Sequence, residues 1–219
     1  MNQIHSLQDE AYQYLKSQIS DGNFESGIIY SLNATAAQLN ISRTPVRDAL
    51  NRLSQEGFIE ILPSRGFRLL DVSEREILEI YQLRYAIEGF CCYELSTQIL
   101  SLPNHPALEL LKNNLDQQAE FIKHGGPSKD FLALDHAFHT IIINAVNNQQ
   151  FHQIFNINRE RISKLILRSL NADSKYEATL ESHQQIYSAI ATGSPELSQK
   201  VMWDHLHISR YDNLMDVSK

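Results

Sequence analysis

Arg43 and Arg47 stand one helical turn apart in Ser42-Arg43-Thr44-Pro45-Val46-Arg47-Asp48-Ala49-Leu50, a stretch whose pattern opens a helix. A guanidinium donates bidentately to a guanine edge or clamps a phosphate, so the two side chains can both read and anchor a duplex. A second constellation lies in the C-terminal half. Asp135 and His139 share the apolar face of one helix at i,i+4 spacing, with Phe131, Leu134, Phe138, Ile142, Ala145 and Val146. His183 interrupts a stripe of Leu180, Ile186, Tyr187 and Ile190, and His205 falls among Leu197, Val201 and Ile208. One histidine on an apolar face is ordinarily a hydrogen-bonded core residue. Four polar interruptions on three helices point further, because a shared divalent cation would satisfy Asp135 and the three imidazoles together. Arg84 is a third signal, replacing an apolar residue among Ile77, Ile80, Tyr81, Ile87 and Cys91, with Glu88 one turn later. An inward guanidinium needs an anion, supplied either by Glu88 or by a ligand carboxylate opposite the metal. Arg159 is a second candidate for the same cavity.

The elements that must hold these residues are legible in the caps and breaks. Ser6-Leu7-Gln8-Asp9 resembles a capping box and opens a helix that Gly22 is expected to end. Asn33 is expected to cap a second short helix running through Leu39, Asn40 to permit a tight turn, and Ser42 to cap a third helix with Pro45 in its first turn. Gly57 stops that helix. Phe58-Ile59-Glu60-Ile61-Leu62, a turn at Pro63-Ser64-Arg65-Gly66, and Phe67-Arg68-Leu69-Leu70 read as two short strands. Three helices and a hairpin make a winged helix-turn-helix. Arg43, Thr44 and Arg47 then face base edges and phosphates, Arg52 lies nearer the backbone, and Arg65 and Gly66 form a wing tip able to enter a minor groove. A solvated helix with ordinary surface arginines is the alternative for the third helix taken alone.

From the capping box Ser73-Glu74-Arg75-Glu76 onward the pattern is helical, with segments near 74–100, 106–123, 129–147, 150–170, 176–192 and 195–215. Breaks fall at Pro103/Pro106, Gly125-Gly126-Pro127, Asn147-Asn148, Asn171 and Gly193-Ser194-Pro195. The fold class is therefore mainly α: a winged helix-turn-helix over 1–71, then an all-α six-helix bundle over 72–219.

Composition excludes several classes. The net charge of -7 argues against a blanket nucleic-acid-binding surface. Positive charge is local instead: residues 41–70 hold five arginines (43, 47, 52, 65, 68) against Asp48, Glu56 and Glu60. No apolar run approaches the roughly 18 to 20 residues a membrane span needs. The N-terminus lacks the basic start and apolar core of a signal peptide, so the protein is expected to remain in the cytoplasm. Cys91 and Cys92 are adjacent on one helix and read as buried free thiols.

The segment from about Asp9 to Leu70 resembles the winged helix-turn-helix of the GntR family of bacterial transcription regulators. Gly27, Leu39, Ile41, the Ser42–Leu50 run, Leu53, Glu56-Gly57-Phe58, Pro63 and Arg65-Gly66 carry the likeness. The chain departs from the pattern at Leu32-Asn33, where members often carry an acidic residue followed by arginine, so one backbone contact is not carried over. Asp135-His136-Ala137-Phe138-His139, Ser182-His183 and Met202-Trp203-Asp204-His205-Leu206 resemble the metal-binding pattern of the FadR-type C-terminal ligand domain (FCD), in its shorter, VanR-like, six-helix form. The resemblance implies one divalent metal per subunit on Asp135, His139, His183 and His205, facing an effector cavity. It also favours Arg84 as an effector clamp, because Leu83-Arg84 and Glu88 match a recurring pair. His136 and His207 receive no ligand role. Zinc is the first choice of metal, with nickel or manganese compatible.

The expected protein is a homodimeric transcription regulator, a repressor by preference, binding a near-palindromic double-stranded operator. One recognition helix reads few base pairs, and two-fold symmetry doubles the contacts. A small organic acid at the metal and Arg84 would change operator affinity by linkage. Two alternatives stay open: a metal sensor with the cation as effector, and a metal-dependent hydrolase, for which no general base stands out.

Overall fold

The computed structural model describes residues 6–20, 23–25, 27–70, 73–169 and 173–217. The expected helix ends at Gly22 and Asn171 lie outside these residues. Contacts divide the chain into Met1–Val72 and Ser73–Lys219. No described helix is long and apolar enough to cross a membrane.

In the first unit, α1 (Leu7–Ser20), α2 (Leu32–Gln38) and α3 (Arg43–Gln55) precede an antiparallel pair, β1 (Ile59–Leu62) and β2 (Gly66–Leu69). Ser6 Oγ accepts from the Asp9 amide at 3.2 Å, as the capping-box spacing requires. The cap of α2 is Ser31, whose hydroxyl accepts from the Ala34 amide; Asn33 lies inside the helix, so the expected Asn33 cap is two residues too late. α2 and α3 both end in Schellman turns. The amides of Asn40 and Ile41 return to Ala37 and Ala36, and those of Gly57 and Phe58 to Ser54 and Leu53. Asn40 and Gly57 take the positive φ this geometry needs, 54° and 78°. The buried face of α3 is Val46, Ala49, Leu50 and Leu53, packed on Ala11, Tyr12 and Leu15 of α1 and on Ile59 and Phe67 of the hairpin. With that face inward, Arg43, Thr44 and Arg47 are turned to solvent.

Tyr30 adds a bridge that sequence patterning did not anticipate, exchanging both backbone hydrogen bonds with Phe67 at 2.7 and 2.9 Å. It ties the loop before α2 to the hairpin. Gly66 exists for this contact. A Cβ there would lie 2.0 Å from the Tyr30 carbonyl oxygen, and its φ is 128°. The glycine is thus demanded by the fold where β2 leaves the turn. At the tip, Pro63 occupies the second turn position and Ser64 the third, with φ 62°.

The second unit is helical among the described residues: α4 (Glu74–Ser101), α5 (Pro106–His124), α6 (Ser128–Ala145), α7 (Gln149–Ser169), α8 (Asp173–Ala191) and α9 (Pro195–Val217). Ser73 caps α4 by accepting from the Glu76 amide at 3.2 Å. α4 is the central helix and packs against α9, α6, α8 and α7. Its register on α9 is set by two polar contacts: Trp203 Nε1 donates to the Tyr85 carbonyl at 3.0 Å, and Ser198 Oγ to the Cys92 carbonyl at 3.0 Å. Gly89 leaves room for the indole, because a Cβ would meet Trp203 Nε1 at 2.2 Å. The expected stripe on α9 is misregistered. Leu197 is 50% and Ile208 61% exposed, and the inward face is Ser198, Met202, His205, Leu206 and Asn213. His205 still faces inward because it lies one turn from Met202 on that true face. Cys91 and Cys92 are buried free thiols, raised by burial first and by Glu88 second.

Candidate functional site

In the first unit, the outer face of α3 and the hairpin tip form a groove of about 310 Å³. Arg43, Arg47 and Asn51 line one side, Pro63 to Gly66 the other, and Ser31 and Asn33 the end. Among the described residues, no carboxylate pairs with Arg43, Arg47 or Arg65. Three unneutralised guanidinium groups around one concavity attract a polyanion. Ser42 has extended cap geometry but makes no side-chain cap bond, so its hydroxyl and the first amides of α3 are available to phosphate oxygens. Thr44 is exposed beside them without lining the groove.

Arg52 stands apart from this group. Its guanidinium lies 3.8 Å from the Tyr12 ring centroid, donates to Glu56 at 3.1 Å, and approaches Asp9 at 3.8 Å. It holds α3 to α1. Arg68 is likewise committed to Glu60 across the strands. Asn51, one turn beyond Arg47 on the groove, was missed by sequence reading. Its signal was the i,i+4 spacing from Arg47.

In the second unit, α6 brings Asp135 and His139, α8 brings His183, and α9 brings His205. All four are buried, and ligand atoms of the three histidines lie within 4.8 Å of one another. Two of the three imidazoles, His183 and His205, are oriented by a hydrogen bond at Nδ1. Asn114 Nδ2 donates to the Leu134 carbonyl at 3.0 Å, an acceptor with no alternative role, and Asn114 Oδ1 therefore receives Gln118 Nε2 at 2.6 Å. Gln118 Oε1 is then left to accept from His183 Nδ1 at 3.0 Å. Ser182 Oγ gives its only proton to the Thr179 carbonyl at 2.8 Å and so accepts from His205 Nδ1 at 2.8 Å. Glu88 sits against His139 Nδ1. His183 Nε2 and His205 Nε2 are thereby left with lone pairs, and His183 Nε2 lies 3.6 Å from Asp135 Oδ1.

Acceptor therefore faces acceptor in a buried site. Asp135 Oδ2, His139 Nε2 and His183 Nε2 have no hydrogen-bond partner. Protonation is a poor remedy. Burial first, and then neighbouring imidazoles and Arg84, hold His183 and His205 well below the usual histidine range. Burial raises Asp135 against the pull of His139 and Arg84. A cation bound by three imidazoles and a carboxylate satisfies Asp135 Oδ2, His139 Nε2 and His183 Nε2 together, and the partners on Nδ1 of His183 and His205 have the character that metal-bound histidines need. The residues fit a divalent metal. Gln118 and Ser182 are positioning residues that sequence reading overlooked, although Asn114 and Gln118 interrupt the Ala107, Leu111, Leu115 stripe at i,i+4.

Gln118→Leu removes the acceptor that sets the His183 tautomer. Metal affinity is expected to fall roughly 10- to 100-fold, with Gln118→Glu retaining most of it. Competition against a chromogenic chelator measures this, and equal affinity in Gln118→Leu would refute the orienting role.

Arg84 is 2% exposed and forms the pair with Glu88 that its i,i+4 spacing allowed, Nε to Oε1 at 2.6 Å. Burial pushes the Glu88 carboxyl up, but Arg84 and His139 together pull it down to about 2. Glu88 thus links guanidinium to imidazole. Arg159 is exposed on α7, and its charge reaches His136. His136 is buried, stacked on Phe155 at 5.4 Å, and pushed down to about 4 by burial first and Arg159 second, so it is a structural neutral ring. His207 is exposed.

Comparison with known proteins agrees with both units. Residues 7–69 match the family profile described as bacterial regulatory proteins, gntR family, and residues 79–207 match the FCD domain. The gluconate operon transcriptional repressor of Bacillus subtilis (strain 168) is 30% identical over 211 residues, covering 94% of this chain and 82% of the relative. A Rhodococcus sp. RHA1 protein described as a GntR transcriptional regulator shares the fold with a TM-score of 0.76 at 20% identity, covering 96% of this chain and 99% of that one. The metal-free FCD domain of the regulator TM0439 superposes with a TM-score of 0.56 at 19% identity, over 68% of this chain and 99% of that domain. The relatives are transcription regulators, not enzymes.

Proposed function

Since the chain belongs to the GntR family of bacterial regulatory proteins and carries an FCD domain, we propose that it is a ligand-responsive repressor acting as a homodimer on a near-palindromic operator. The N-terminal unit, about residues 1–71, supplies DNA binding through Ser42, Arg43, Thr44, Arg47, Arg65 and Asn51. Arg52 serves by bracing α3, and Gly66 by shaping the wing. The C-terminal unit, about residues 72–219, holds one divalent metal on His139, His183, His205 and Asp135, with zinc preferred. FCD domains can bind metals, and the three buried histidines here lie close enough together to do so.

The observation that carries the reading is that His139 Nε2, His183 Nε2 and Asp135 Oδ2 are buried together without a hydrogen-bond partner. Charge then indicates the ligand. Arg84 is paired with Glu88, leaving Asp135 as the carboxylate that faces the imidazoles. A divalent cation overshoots Asp135 by one positive charge, which a monocarboxylate at an open metal position would cancel. A small organic acid is the ligand class that follows. The Bacillus subtilis relative makes gluconate the first compound to try. Binding would favour one arrangement of the paired DNA-binding units and so alter operator affinity. Electrophoretic mobility shift on the DNA beside the protein's own gene tests the reading. Specific retardation that weakens steeply with salt is expected, and uniform binding to any duplex would overturn it.

A further inference from the structure

A crevice of about 90 Å³ runs along the seam of α8 and α9, lined by Lys175, Ala178, Thr179 and Ser182 on one helix and His205, Ile208, Ser209 and Asp212 on the other. The spacing is i, i+3, i+4, i+7 on both, so one face of each helix forms a wall. Small side chains at Ala178, Ser182 and Ser209 leave the space open. Its outer end is closed by an ion pair, Lys175 Nζ to Asp212 Oδ2 at 2.9 Å. Its inner end is the Ser182–His205 hydrogen bond. The crevice thus reaches the Nδ1 side of one metal-site imidazole and stops there.

His205 is also the most reachable of the three histidines, 7% exposed against 1% for His139 and 0% for His183. His139 is held behind the buried Glu88–Arg84 pair, and His183 is stacked on Phe138 at 4.1 Å and tied to buried Gln118. His205 is held by one hydrogen bond to a hydroxyl that borders open space. We propose that metal enters and leaves through this crevice, with His205 as the ligand that swings aside and the Lys175–Asp212 pair as the latch that keeps α8 and α9 closed over it. The proposal rests on the metal reading above. It adds a kinetic role for residues that touch neither metal nor DNA. The latch is partly exposed, so it sets a rate and contributes little to affinity.

The test loads the full-length protein with zinc and follows metal release to a chromogenic chelator in excess. Asp212→Asn is expected to accelerate release about two- to fivefold. Ala178→Leu, which fills the crevice from its exposed wall, is expected to slow it. Zinc per subunit before chelation should be unchanged in both. Lys200→Ala, which breaks an exposed pair within α9 away from the crevice, should release zinc at the wild-type rate. Equal release rates in all four proteins, or acceleration by Lys200→Ala equal to that by Asp212→Asn, would overturn the proposal. Absence of zinc from the wild-type protein would instead overturn the metal reading on which it stands.

Discussion

Arg47→Ala is expected to abolish most specific operator binding while leaving the winged unit as stable as before. The side chain is exposed on α3, has no carboxylate partner among the described residues, and lies opposite the buried face of Val46, Ala49, Leu50 and Leu53. Nothing in the core therefore changes. A bidentate base contact is worth about 1–3 kcal/mol, and a dimer loses two, so the dissociation constant should rise roughly 30-fold or more. Fluorescence anisotropy with labelled operator, alongside a thermal melt, reads both quantities. Arg52→Ala should give the opposite signature, a lower melting temperature through loss of the Tyr12 and Glu56 contacts. Unchanged affinity in Arg47→Ala would remove that residue from the interface.

His183→Ala carries the second large effect. It deletes one of the three imidazoles and leaves the Gln118 carbonyl without its donor. Metal per subunit should fall toward zero by elemental analysis. The melting temperature should also lose its response to chelator. In the wild type, metal at about a thousand times its dissociation constant stabilises the fold by roughly 4 kcal/mol, and chelation should remove that contribution. Loss of the ring's packing against Phe138 lowers stability in the variant whether or not metal is present. The decisive reading is therefore the response to chelator. A full metal complement in His183→Ala would exclude this residue as a ligand.

Much of this architecture is legible in local sequence because it is built from caps, breaks and amphipathic stripes. Ser73, Gly57 and Asn40 act where their types predict, and the polar interruptions Asp135, His139, His183 and His205 all turn inward. What escaped was non-local. The Tyr30–Phe67 bridge joins residues 37 apart, and that contact, with the positive φ, accounts for Gly66. Arg52 looked like its neighbours until α1 placed Tyr12 and Asp9 around it. The α9 stripe failed because that helix buries Ser198, His205 and Asn213 against α4 and α8 while leaving Leu197 and Ile208 exposed, an inversion of the usual apolar rule. Gln118 and Ser182 matter through the hydrogen bonds they make across helices, and neither type is diagnostic alone.

Occupancy of the α4–α6–α8–α9 site is expected to change how tightly α3 and the wing hold DNA. The direct measurement is the operator-binding isotherm of the metal-loaded protein across a series of small carboxylic acids headed by gluconate, repeated after chelation and after reloading. At least one acid should shift the dissociation constant about 5- to 150-fold in the loaded protein, with the shift lost on chelation and regained on reloading. The same operator affinity in every acid, and in the loaded, chelated and reloaded protein alike, would contradict it.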